Sequence, residues 1–137
     1  MTYCDKHNLL FFTDSGPFGE TSYENPTGSL FAIDLTENIL KPVQINCLAY
    51  PSGVVLNQNQ SILYVCETAK NRILKVVFND NGKFHTTVFK QFSGRFGPTA
   101  ITRDIDSNNL FVARFEFASI SSSGLITVIN EHADEVD

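Results

Sequence analysis

No apolar run in this chain approaches the roughly 18 residues needed to cross a bilayer as a helix, and nowhere is a helical period of 3.6 sustained over ten residues. The start, Met1-Thr2-Tyr3-Cys4-Asp5, lacks the basic segment and apolar core of a secretory signal. A soluble, cytoplasmic protein with no membrane partner is the expectation. Basic residues are also scarce: 10 Lys and Arg against 15 Asp and Glu leave a net charge of −5, with Glu131, Asp134, Glu135 and Asp137 crowded at the end. Such a chain would repel a phosphate backbone, so nucleic acid is excluded as a partner. Cys4, Cys47 and Cys66 are odd in number and scattered, without CxxC spacing. They read as reduced thiols filling small apolar sites. His7, His85 and His132 are isolated, and no two have metal-ligand spacing.

What is present is β-sheet pattern. Residues 50–76 hold three short apolar runs rich in β-branched and aromatic residues, separated by Asn, Gln and Ser or by Thr68-Ala69-Lys70-Asn71. Branched side chains suit a pleated surface and Asn and Ser tolerate turn dihedrals, so this is a β-meander. Its second run recurs. Asn8-Leu9-Leu10-Phe11-Phe12-Thr13-Asp14-Ser15, Ser61-Ile62-Leu63-Tyr64-Val65-Cys66-Glu67-Thr68 and Asn108-Asn109-Leu110-Phe111-Val112-Ala113-Arg114-Phe115 align without a gap, their leucines 53 and 47 residues apart. A second landmark keeps register: Ser52 lies eleven residues before Leu63, and Thr99 eleven before Leu110. Repeats of this length, allowing for loop insertions, point to an all-β fold of about three four-stranded propeller blades.

The blades divide the chain at about 1–49, 50–96 and 97–137. In the first, the second strand holds Phe11-Phe12-Thr13, a Gly- and Pro-rich loop fills 14–28, the third strand covers 29–34 and the fourth 40–45. Pro42 removes a ladder donor and so marks the fourth as an edge. The second blade has strands at 52–56, 62–66, 72–78 and 84–89, and Asn79-Asp80-Asn81-Gly82 forms its hairpin turn. The third has strands at 99–103, 110–113 and 125–129, a serine-rich loop at 119–124, and no room for a fourth. Eleven residues before Leu10 falls ahead of Met1, so the first blade lacks the head of its innermost strand. A ring of three frayed blades cannot close. Either the polypeptide is a piece of a longer protein, or two copies associate through their open blade edges into a six-bladed ring.

Asn8 to Gly16, Tyr50-Pro51-Ser52-Gly53, the run from Leu63 to Leu74 with its Glu67-Thr68 and Asn71-Arg72-Ile73-Leu74, and the Gly97-Pro98 start of the third blade together resemble the regucalcin, gluconolactonase and luciferin-regenerating-enzyme family. Strictosidine synthase-like proteins share the strand signatures more distantly. The resemblance runs from about Leu9 to Ile129 and covers about half of the family's six blades. It implies hydrolysis of a small-molecule lactone or ester assisted by one divalent cation, Ca, Zn or Mn, on the ring axis. A hard cation takes oxygen ligands, polarises the carbonyl and acidifies bound water.

Carried over position by position, the implied ligand set is altered. Ser52 stands where the family has a ligand Asn, and Thr99 where it has the ligand and base Asp; the early Glu is missing. Neither hydroxyl can act as a base near pH 7. Asp14, Glu67 and Arg114 share one register, four residues after each repeat leucine, and could form a polar cleft for a cation or polar substrate. The alternative is that they pair with turn amides and with Lys70 or Arg72 between blades. Arg95 reads as a loop contact, His85 as an outer-strand surface residue, and Ser15 lacks the strand-turn-helix elbow of a nucleophile. A propeller that only binds or scaffolds, or a segment inactive by itself, is the competing reading, because this architecture hosts many functions.

Overall fold

A computed structural model describes residues 1–17, 19–116 and 123–136. Most of the serine-rich loop expected at 119–124 lies outside the described residues. The chain forms three antiparallel meanders. The first sheet has strands β1 (Thr2–Cys4), β2 (Leu9–Asp14), β3 (Gly28–Asp34) and β4 (Ile39–Leu48), in that order. The second has β5 (Pro51–Leu56), β6 (Ile62–Glu67), β7 (Arg72–Phe78) and β8 (Phe84–Gln91), also in chain order. In the third, β10 (Leu110–Glu116) lies between β9 (Phe96–Arg103) and β11 (Gly124–Ile129). The strands fall where expected, most reaching a residue or more further at their ends.

Turn chemistry explains the register. Asn8, Gln60 and Asn108 each adopt positive φ just before the second strand of their sheet, a conformation Asn tolerates well. Gly82 (φ +70°) closes the β7–β8 hairpin with a bond from its N–H to the Asn79 carbonyl at 3.0 Å. Pro42 sits on the edge strand β4, where the pairing with β3 slips between Leu30 and Phe31. The innermost strand of the first sheet is only three residues long.

Alternation along each strand supplies two buried layers. Between the first and second sheets pack Leu9, Phe11, Leu30 and Ala32 against Val54, Leu63, Val65 and Val76. Between the second and third pack Tyr64, Ile73 and Phe92 against Leu110, Val112 and Ile129. Leu63 therefore faces the sheet before its own, and so does Leu110. Leu10, flanked by the inward-facing Leu9 and Phe11, points to the opposite side of the first sheet and is only half-buried. The three repeat leucines occupy one equivalent position.

Candidate functional site

Strands β2, β6 and β10 end, and β5 and β9 begin, at one end of the molecule. Here hydroxyls tie the sheets together. Thr13 donates to the Ser52 carbonyl and Ser15 to the Pro51 carbonyl, both at 2.7 Å, joining the first sheet to β5. Thr68, in the 3₁₀ turn Thr68–Lys70, donates to the Pro98 carbonyl at 2.7 Å. Its one proton being spent there, it accepts from the Ser52 hydroxyl at 2.9 Å. Thr99 donates to the Ala113 carbonyl of its own sheet at 3.2 Å. Beside this network lies a cavity of about 350 Å³ with mainly apolar walls, lined by Tyr23, Tyr50, Thr68, Ala69 and Phe115.

Asp14, Glu67 and Arg114 occupy equivalent strand ends but have three different surroundings. Glu67 and Arg114 point, like their repeat leucines, toward the preceding sheet. Glu67 therefore enters the layer between the first two sheets, where it is fully buried. Its Oε1 accepts from the Ala49 N–H at 2.8 Å with the Lys70 ammonium 3.6 Å away, and its Oε2 accepts from Arg72 Nε. Arg114 enters the next layer. It donates from Nε to the Phe96 carbonyl at 3.1 Å, from Nη2 to the Ser93 carbonyl and from Nη1 to the Thr127 hydroxyl, and its charge lies 4.0 Å over the Phe92 ring. Burial pulls its guanidinium below the ordinary range. Asp14 has no described sheet in front of it and stays exposed, accepting from the Gly16 N–H at 3.0 Å. Among the described residues no hydrogen bond or ion pair joins any two of the three.

Other positions follow their neighbours. Arg95 pairs with the buried Glu116 at 3.1 Å, a loop contact. Ser15 is held by the Pro51 carbonyl, and His85 is exposed on the outer strand β8. Thr68 and Glu116 were not singled out from the sequence. Glu116 follows Arg114 by two residues and so shares its buried face; Thr68 carried no such signal, because its partner Pro98 is distant in the chain. Among the described residues no group of three or more His, Cys, Asp or Glu side chains could hold a metal ion. The Ser52 and Thr99 hydroxyls donate their protons to neighbouring oxygens, which leaves their lone pairs as neutral, weaker ligands than the Asn and Asp that the resemblance implies, and neither supplies a base. Nor is any helix among the described residues long and apolar enough to cross a membrane.

Known proteins agree with this architecture. A lactonase drp35 of Staphylococcus haemolyticus (strain JCSC1435) is 30% identical over 115 residues, covering 81% of this chain and 34% of its own. The chain thus spans about a third of the length of the curated relatives it matches. Two solved structures superpose closely while sharing little sequence. Regucalcin from Agrobacterium tumefaciens str. C58, described as a calcium-binding protein, gives a TM-score of 0.73 at 15% identity over 94% of this chain and 40% of its own. A gluconolactonase from Xanthomonas campestris gives 0.70 at 18% identity over 96% and 43%. These are β-propellers, and the three meanders share their fold. The family model described as SMP-30/Gluconolactonase/LRE-like region matches residues 2–134, and the chain belongs to that family.

Proposed function

We propose that this chain forms about three blades of a six-bladed propeller of the lactone- or ester-hydrolysing type, and that it supplies one wall of the substrate cleft without supplying the metal. The family match over residues 2–134 carries the reading. The aromatic and aliphatic walls of the 350 Å³ cavity suit the carbon skeleton of a small lactone or ester. Asp14, with one carboxylate oxygen left to solvent, is the acid of this end best placed to meet a polar substrate group or a cation shared with further blades. Glu67 and Arg114 serve by stiffening the strand ends. Catalysis then requires ligands and a base that these residues do not provide, and by itself the chain is a binding module.

The outer faces of the first and third sheets support this reading. Leu10, Phe12, Phe31 and Ile33, with the 55% exposed Leu40, share one face, and Phe111 and the 64% exposed Ile126 share the other. Apolar sheet faces of this kind need cover, from further blades of a longer polypeptide or from a second copy. The test combines calorimetric titration of the purified chain with glucono-δ-lactone, assay of turnover with Ca, Mn or Zn, and light scattering. Saturable lactone binding, weakened by Phe115→Ala, without metal-dependent turnover is the expected result for a monomer. Turnover by a monomer would overturn the assignment of the metal to other blades, and absence of lactone binding would overturn the cleft wall. A monodisperse dimer would identify the second copy as the cover.

A further inference from the structure

The end opposite the Thr68 cavity carries a second concavity, of about 400 Å³, between the second and third sheets. Tyr64 on β6 and Lys75 on β7 are directly paired, so their side chains stand together on the face turned toward the third sheet. Across from them Arg103 ends β9. It donates from Nε to the Leu56 carbonyl at 3.3 Å and from Nη1 to Asn108 Oδ1 at 2.9 Å and the Asp104 carbonyl at 3.4 Å. Asn108 in turn donates from Nδ2 to Gln58 Oε1 at 2.9 Å. The guanidinium is thus held in place across the two sheets, and its Nη2 makes no hydrogen bond among the described residues.

Three groups here lack what their surroundings normally provide. Lys75 and Arg103 have no carboxylate partner among the described residues, in a chain whose net charge is −5. Tyr64 is 5% exposed, its ring 4.8 Å from that of Phe89, and its hydroxyl, with no hydrogen bond to the described residues, is open to the cleft rather than sealed in the core. One carboxylate, Glu131, also lines the cleft, and its charge acts on the Tyr64 hydroxyl; it lies 3.6 Å from His132 and both side chains are about three-quarters exposed. A preorganised guanidinium, an ammonium and a phenol without partners are the donors that a small oxyanion takes.

We propose that this cleft binds a carboxylate or phosphate group, with Arg103 Nη2, the Lys75 ammonium and the Tyr64 hydroxyl as its donors. The site is formed entirely by the second and third sheets, so it is independent of any completion of the ring and of the lactone cleft at the other end. The test follows the Arg103 Nε–H and Asn108 side-chain signals in ¹H–¹⁵N spectra during titration with inorganic phosphate and, in a separate arm, acetate, at constant ionic strength. A saturable shift with a Kd on the order of 1 mM is expected, weakened about tenfold or more by Lys75→Met and also by Tyr64→Phe, which keeps the ring against Phe89. Saturation by phosphate alone assigns a phosphoryl ligand, by acetate alone a carboxylate ligand, and by both the shared oxyanion chemistry. Shifts that stay linear with both probes, or saturable shifts unchanged in both variants, would overturn the site.

Discussion

Replacing Glu67 by Gln separates a structural from a chemical role for the most deeply buried acid among the described residues. The carboxylate is inaccessible to solvent and is opposed by Arg72 and Lys70, whose side chains keep 25% and 22% of their exposure. Removing one partner of a buried pair costs about 3–5 kcal/mol. Because both cations can rehydrate, about 2–3 kcal/mol is expected here. Gln keeps an acceptor for the Ala49 N–H, so Glu67→Ala should lose a further ~1–3 kcal/mol by leaving that donor unsatisfied. For a chain of this size each kcal/mol moves Tm by about 3–4 °C, so the Gln variant should melt roughly 6–12 °C lower. Urea denaturation with a double-mutant cycle through Arg72→Met should return a coupling of about 1–3 kcal/mol. If Glu67→Gln stays within about 0.5 kcal/mol of the parent, the carboxylate is not holding the first two sheets together, and the reasoning that sets it apart from substrate chemistry is refuted.

Two further outcomes rest on packing. A Cβ added at Gly53 would lie 2.9 Å from the Ala100 Cα and 3.0 Å from the Thr99 carbonyl oxygen, backbone atoms of β9 that cannot rotate away. Gly53→Ala should therefore cost about 1–3 kcal/mol in urea denaturation, and unchanged stability would show that β5 and β9 do not meet so closely. Burial pushes the Cys66 thiol up to about 12 and raises that of Cys4; partial desolvation and the Glu67 charge raise Cys47 too, but Cys47 alone of the three is exposed to reagent. A thiolate is the reactive form, so Ellman's reagent at pH 8 should titrate one thiol in the folded chain and all three after unfolding. Rapid reaction of a second thiol before unfolding would contradict this layering.

The meanders, the edge character of β4 and the Asn79–Gly82 hairpin were legible because each depends on local physics: alternation, a missing proline donor, and turn residues at ease with positive φ. The repeat of Leu10, Leu63 and Leu110 was legible for the same reason, since one strand position demands one kind of side chain. Other features depend on what a face meets. Asp14, Glu67 and Arg114 share a register, yet one is exposed and two are buried in separate layers, because among the described residues a sheet stands in front of the second and third sheets and none in front of the first. Thr68 and Pro98, or Arg103 and Gln58, come together only when sheets distant in the chain are stacked. The sequence by itself determined the strand pattern and the family signature. Tertiary structure decided which polar groups satisfy one another between sheets and which, like Tyr64 and Lys75, are left facing a cleft, because partnership across a layer is set by the stacking of distant strands rather than by neighbours along the chain.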